Sequence, residues 1–329
     1  MDKIQQINSI FRSYKILALC KDYKEINNYC YYDIILEPTA RVKDIEKFST
    51  EIGIALKKYG KPSIRLLSEL GIIRLEFFNN NSYIINIFDY FYKINPPPGN
   101  LQCLLGQNIQ GERLWLDLTT SPHMIVSGTT GSGKSTILHT IIANLLNYYD
   151  TQIFLMDTKN IEFCEYPEFI KSNLYFASTY NQCLCMLKDL CSIMESRYEL
   201  LRQQNIYNNL PYIVVIIDEF ADLILQDIDN EFYNLLCKLS QKCRASKIHI
   251  IISTQRPSVD IICGTIKSNF PVRIACKVAS RADSKVILDV GGAENLFGNG
   301  DSLLKNNLGK LERFQSAYTS PKEIRKYFE

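Results

Sequence analysis

The chain has 329 residues, 46% of them hydrophobic and 22% charged, an ordinary globular composition that excludes a disordered or low-complexity protein. A net charge of +2 and a pI near 7.9 fall short of the basic footprint of a general nucleic-acid binder, without excluding one that gathers a few cations on a narrow surface. The longest apolar runs, residues 213–217 and 250–252, are far below the ~20 residues that cross a bilayer, and residues 1–20 lack the pattern of a secretory signal, so direct membrane insertion is not expected and the cytoplasm is.

In chain order, Val42, Ile45, Phe48, Ile52 and Leu56 recur at helical spacing and stop at Gly60, predicting one helix. Residues 72–78 and 83–87 flank Asn79-Asn80-Asn81-Ser82, which predicts a β-hairpin. Asn95-Pro96-Pro97-Pro98-Gly99-Asn100 follows, and three prolines without backbone donors continue neither a helix nor a central strand. A boundary is therefore expected there, dividing a small α+β domain at 1–98 from a larger domain at 99–329. Downstream, β-rich runs at 124–127, 152–157, 212–218, 248–254 and 272–278 alternate with helical stretches, the pattern of an α/β fold with a mostly parallel sheet. The eleven cysteines are odd in number, form no CxxC pair and have only His123, His139 and His249 as companions, so neither a disulfide framework nor a zinc site is supported. Cys183 and Cys185 fall in a helical stretch, where buried thiols act as small apolar side chains.

Gly128, Thr129, Thr130, Gly131, Ser132, Gly133, Lys134 and Ser135 fill the pattern GxxxxGK[ST] between a predicted strand and a helix, and Thr136 completes the candidate ATP-binding set. Glycines let successive backbone N–H groups curl round phosphates, and the helix N-terminus adds partial positive charge. Lys134 is placed to reach the terminal phosphates and Ser135 to give an oxygen to Mg²⁺. The β-branched run at 213–217 then delivers Asp218 and Glu219 at its end, Asp218 for the Mg²⁺ shell and Glu219 as general base toward water. A second strand ends in Thr254-Gln255-Arg256-Pro257, and Gln255 is assigned to the γ-phosphate or to orienting water. Together these predict a RecA-like P-loop NTPase core.

These residues resemble the FtsK/SpoIIIE family of DNA translocases. The likeness lies in Pro122-His123 leading into the phosphate loop, in Asp218-Glu219-Phe220-Ala221-Asp222, and in Thr254-Gln255-Arg256-Pro257-Ser258-Val259-Asp260. Gly264, Ile266-Lys267, the run from Asp283-Ser284 to Gly291-Gly292-Ala293-Glu294, and Gly300-Asp301 extend it. The resemblance implies a hexameric ring with duplex DNA in its channel and nucleotide at subunit interfaces. Within Gln241-Lys242-Cys243-Arg244-Ala245 it implies an arginine finger at Arg244, and it places Lys267, Arg281 and Lys285 as basic contacts to DNA phosphates. Arg281 and Lys285 exchange the family's lysine and arginine, which keeps the charge but not the planar hydrogen bonding. Full-length relatives add membrane-spanning helices before the motor and a winged-helix domain after it. This sequence shows neither, so a separate anchor or recombinase is the partner it calls for.

The leading expectation is ATP-driven, sequence-independent movement on double-stranded DNA, in chromosome segregation or DNA transfer. A conjugative coupling or DNA-packaging ATPase of a mobile element is the neighbouring alternative. From other classes come a P-loop phosphotransferase acting on a small molecule and a scaffold that binds without hydrolysis.

Overall fold

The computed structural model describes residues 2–26, 28–67, 70–78, 84–91, 100–148, 150–169, 172–204 and 210–329. The chain divides into two compact units, Met1–Ile84 with Ile109–Glu112, and Ile85–Asn108 with Arg113–Glu329. The proline run that suggested a boundary, at 96–98, lies outside the described residues.

The first unit holds α1 (Lys3–Ser13), β1 (Ala18–Ile26), β2 (Tyr29–Leu36), α2 (Val42–Lys47), α3 (Ser49–Ala55), β3 (Tyr59–Leu67) and β4 (Ile72–Phe78). Its strands make an antiparallel sheet in the order β1-β2-β4-β3. Ile7 and Phe11 of α1, Ile45 of α2 and Ile52 of α3 are buried in one cluster with Tyr32, Ile34, Leu75 and Phe77 of the sheet. Two expectations are corrected here. The single helix over 42–56 is two, because Phe48 leaves helical geometry at φ −103, ψ 15 and stacks on Tyr14 at 5.1 Å. The turn expected at 79–82 and residue 83 lie outside the described residues, and residues 84–87 form no strand against β4. β4 already pairs with β2 on one side and β3 on the other, so neither edge is left for residues 84–87, where only Asn86 bridges, to Tyr318.

The second unit opens with α4 (Phe88–Phe91), β5 (Gln102–Asn108), β6 (Arg113–Asp117) and β7 (His123–Ser127). Next come α5 (Lys134–Leu146), β8 (Gln152–Met156), α6 (Tyr166–Phe169), β9 (Leu174–Ala177), α7 (Tyr180–Gln204) and β10 (Ile213–Ile217). After α8 (Phe220–Gln226) and α9 (Glu231–Lys242) the chain makes a 3-10 turn, Cys243–Ser246, and enters β11 (Ile248–Thr254). It closes with α10 (Gly264–Asn269), β12 (Val272–Cys276), α11 (Arg281–Leu288), β13 (Asp301–Lys305), β14 (Leu311–Ser316) and α12 (Pro321–Phe328).

These strands form a ten-stranded sheet in the order β6-β5-β14-β13-β12-β7-β11-β10-β8-β9. Pairing is parallel from β12 through to β9 and antiparallel from β12 out to β6. The expected α/β architecture with a mostly parallel core is observed. Alternate residues of each central strand serve opposite faces, which is why β10 reads as an unbroken apolar run. Val214 and Ile216 are buried with Leu138, Ile141 and Leu145 of α5. Ile213, Val215 and Ile217 are buried with Leu187, Leu190 and Met194 of α7 and with Leu236 and Leu239 of α9. Cys183 is buried in α7, whereas Cys185 is exposed. Among the described residues no helix is long and apolar enough to cross a membrane.

Candidate nucleotide-binding site

β7, β11 and β10 run side by side and parallel, so their C-terminal ends open on one edge of the sheet, where ligands of such folds bind. β7 leads into the glycine-rich loop at 128–133, and α5 begins at Lys134. No side chain caps α5, whose N-cap is Gly133. The first-turn N–H groups of Lys134, Ser135 and Thr136 therefore lack intrahelical acceptors and present the positive end of the helix. The hydroxyl of Ser132 is buried with no hydrogen-bond partner among the described residues. Gly133 adopts φ +107, and a Cβ there would lie 2.4 Å from the amide nitrogen of Gly300. The Gly300 N–H donates to the Ser132 carbonyl at 2.9 Å, so the turn into β13 backs the phosphate loop.

Lys134 is buried and donates from Nζ to Asp218 Oδ1, and to Ser253 Oγ at 3.0 Å. Ser253 in turn donates to the same Asp218 oxygen at 2.8 Å. The loop lysine and the carboxylate at the end of β10 thus meet in one buried, hydrogen-bonded triad.

Glu219, 2% exposed, sits in left-handed backbone geometry at φ 47, ψ 64, an uncommon state for a residue with a side chain and one that concentrates at functional sites. That turn sends its carboxylate to the end of β11. Thr254 Oγ1 donates to Glu219 Oε1 at 2.7 Å, and the Gln255 N–H reaches both carboxylate oxygens at 3.2 Å. Lys159 Nζ stands 3.7 Å from Glu219 Oε2 and 3.1 Å from Asp222 Oδ2. The Gln255 side chain accepts from Thr130 Oγ1 at 2.9 Å, so this residue links the candidate base to the phosphate loop. Beside it opens a cavity of about 310 Å³ lined by Thr129, Gln255, Arg256, Pro257 and Asp283.

On the other side of α5, Ser135 Oγ donates to Glu162 Oε1 at 2.6 Å. Glu162 Oε2 lies 3.5 Å from His139 Nε2, and His139 Nδ1 lies 2.9 Å from the Tyr166 hydroxyl. The hydrogen bond with His139, helped by Ser135 and by the charge of Lys134, overcomes burial and holds the Glu162 carboxyl at about 2, below its ordinary 4.5.

The remaining candidates sit on other elements. Arg244 is carried on the 3-10 turn, and its side chain lies outside the described residues. Arg197 of α7 clamps that turn by donating to the Ser246 carbonyl at 2.6 Å. Lys267 is bound to Asp289 at 3.0 Å, a carboxylate that also takes Arg273 and Lys305 and is held well below its usual range against the opposing effect of burial. Arg281 and Lys285 are exposed on α11.

Sequence reasoning missed Ser253, Lys159, Glu162 and the backing role of Gly300. Asp157 is the legible part of that omission, because an aspartate ending an apolar strand signals a turn. Its carboxylate accepts the N–H groups of Lys159, Asn160, Ile161, Glu162 and Phe163 at 2.8–3.1 Å, and this turn carries Lys159 and Glu162 to the site.

A model of the FtsK/SpoIIIE family matches residues 93–210 and 204–259 of the chain. DNA translocase SftA of Bacillus subtilis is 33% identical over 319 residues, covering 89% of this chain and 33% of that protein. DNA translocase SpoIIIE of the same organism is 35% identical over 327 residues, covering 90% and 41%. The chain therefore spans between a third and about two-fifths of the length of these relatives. Among solved structures, the pCW3 conjugation coupling protein TcpA matches with a TM-score of 0.70 at 22% identity, covering 100% of both chains. The cytoplasmic domain of the Thermomonospora curvata type VII secretion ATPase EccC matches with a TM-score of 0.63 at 21% identity over 75% of this chain and 34% of that one. Both are likenesses of fold.

Proposed function

The chain belongs to the FtsK/SpoIIIE family, and from that premise we propose that it hydrolyses ATP at this site and couples hydrolysis to movement along double-stranded DNA. The observation that carries the reading is the convergence of Lys134, Asp218 and Ser253 in one buried triad, with Glu219 beside it held by Thr254 and Gln255. A solvated strand cap would need none of this.

The residues fit Mg²⁺ and ATP. The uncapped start of α5 and the buried, unpartnered Ser132 hydroxyl supply donors for phosphate oxygens. Among the described residues no group of three His, Cys, Asp or Glu side chains gathers as a metal cage. Ser135 and Asp218 would be the protein's share of a Mg²⁺ shell that phosphate and water oxygens complete, the usual arrangement for this ion. When bound, Mg²⁺·ATP supplies the phosphoanhydride bond and neutralises charge that builds on the phosphates.

The chain's residues then divide the work. Lys134 meets the terminal phosphates, while Asp218 and Ser253 keep its ammonium aimed at the loop. Glu219 accepts a proton from water at Oε2, because Oε1 alone takes the Thr254 hydroxyl while the two oxygens share the Gln255 amide. Gln255, tied to Thr130, registers the state of the loop and passes it to the backbone that holds Glu219. We further propose assembly into a hexameric ring in which Arg244 serves the neighbouring subunit's nucleotide, with Arg281 and Lys285 contacting DNA phosphates.

The test is steady-state ATP hydrolysis without DNA, with linear duplex and with single strands, using Glu219→Gln as the blank. Stimulation by duplex that is absent in the variant supports the motor. Turnover indifferent to DNA but dependent on a small-molecule acceptor would replace it with a phosphotransferase.

A further inference from the structure

We propose that Glu162 is a positioning residue for the metal ion of this site, holding the Ser135 hydroxyl so that its oxygen lone pair faces the metal. The inference rests on the proposed function only as far as nucleotide and Mg²⁺ binding at the phosphate loop.

A serine hydroxyl has one proton to give and two lone pairs. When its oxygen ligates a cation, the proton must still find an acceptor, and where that acceptor sits decides where the lone pairs point. Here the acceptor is fixed: Ser135 Oγ donates to Glu162 Oε1 at 2.6 Å. A carboxylate in this place also raises the electron density on the hydroxyl oxygen, as outer-shell partners do for metal ligands generally.

Glu162 is itself built in. Its backbone N–H and those around it are gathered by Asp157, which is fully buried and accepts five N–H groups from residues 159–163. Its second oxygen, Oε2, lies 3.5 Å from Nε2 of the buried His139. His139 Nδ1 in turn lies 2.9 Å from the Tyr166 hydroxyl, and Tyr166 is buried as well. A line of contacts thus runs from the loop serine through Glu162 and His139 to α6, more support than a stray surface glutamate needs. The same turn sends Lys159 toward Glu219, so one strand-end aspartate equips both the metal side and the base side.

The experiment titrates Mg²⁺ into the full chain holding a saturating fluorescent ADP analogue, and repeats the titration with Mn²⁺, read by loss of the free-ion EPR signal. Glu162→Gln is expected to raise the metal concentration for half-saturation by about tenfold or more, leaving ADP affinity in EDTA unchanged. Glu162→Asp keeps the charge but withdraws it by one methylene, and shifts the titration the same way by less. Ser135→Ala shifts it too, and in that background Glu162→Gln adds little. An unshifted titration overturns the inference. So does a Glu162→Gln protein that binds metal-free ADP more weakly, or one whose effect multiplies fully with Ser135→Ala, because Glu162 would then act through the fold of the site and not the hydroxyl. Wild-type protein that binds no nucleotide sinks the ATP-site reading and this inference together, whereas normal nucleotide binding with an unshifted titration sinks the inference alone.

Discussion

Two glycines of one loop separate the backbone cost of a side chain from the cost of the space it needs. Gly131 and Gly133 both have positive φ, +74 and +107, but a Cβ at Gly131 meets nothing within 4 Å, while one at Gly133 falls 2.4 Å from the nitrogen and 2.6 Å from the Cα of Gly300. Gly131→Ala carries only the strain of a left-handed alanine, about 1 kcal/mol. Gly133→Ala adds a backbone overlap that cannot relax without breaking the Gly300-to-Ser132 hydrogen bond, and overlap together with strain brings the cost to roughly 3–5 kcal/mol. Urea denaturation of the full chain, following the transition of the nucleotide-binding unit, reads the difference directly. A fluorescent ADP analogue reads the second consequence, a loss of affinity of at least about tenfold in Gly133→Ala that Gly131→Ala does not share, since about 1.4 kcal/mol is a factor of ten. If the two variants fall within about 1 kcal/mol of each other, the turn into β13 does not back the loop and the packing argument fails.

Three further outcomes are expected. Thr254→Val removes the hydroxyl that donates to Glu219 and should lower kcat by roughly 10- to 100-fold with nucleotide affinity unchanged, the worth of one hydrogen bond to a charged group; equal losses in both would show a binding defect instead. The folded Glu162 carboxyl, at about 2, lies below its ordinary 4.5, so its contribution is complete above pH ~4.5 and disappears as the pH falls toward 2. By that linkage Glu162→Gln should flatten the acid limb of the stability curve by up to about 3 kcal/mol, and a denaturation series across that window that superimposes on wild type would refute it. Neutralising Arg281 and Lys285 should reduce the salt slope of duplex binding by up to about one unit per phosphate contact, whereas Lys267→Gln, which removes a partner of Asp289, should cost stability more than slope. The reverse pattern would place Lys267 on the DNA and its neighbours off it.

What could be read in advance followed from how local each signal is. The run Ile213–Ile217 is apolar on both faces because helices cover both, and such a run announces a central strand. The phosphate loop and the carboxylates after β10 follow from fixed spacing along one stretch of chain. The antiparallel half of the sheet gave no such notice: β5 and β14, Gln102–Asn108 and Leu311–Ser316, mix polar and apolar residues and are strands because they find each other across almost the whole unit. Glu162 escaped for a similar reason, since it reaches Ser135 by a turn that the Asp157 carboxylate closes with five backbone N–H groups. The hairpin expected after β4 was wrong because a local pattern shows that a segment suits a strand but not that both edges of its neighbour are already taken.

The position of β14 between β13 and β5 sets the order in which a ribosome can finish this unit. The β5–β6 hairpin and the phosphate loop are synthesised well before the strand that joins the hairpin to the sheet and the turn that backs the loop. The nascent chain therefore waits with a bare strand edge and an unsupported nucleotide loop. Emergence of β13 and β14, more than completion of the loop's own sequence, marks the moment at which the site can first hold its ligand.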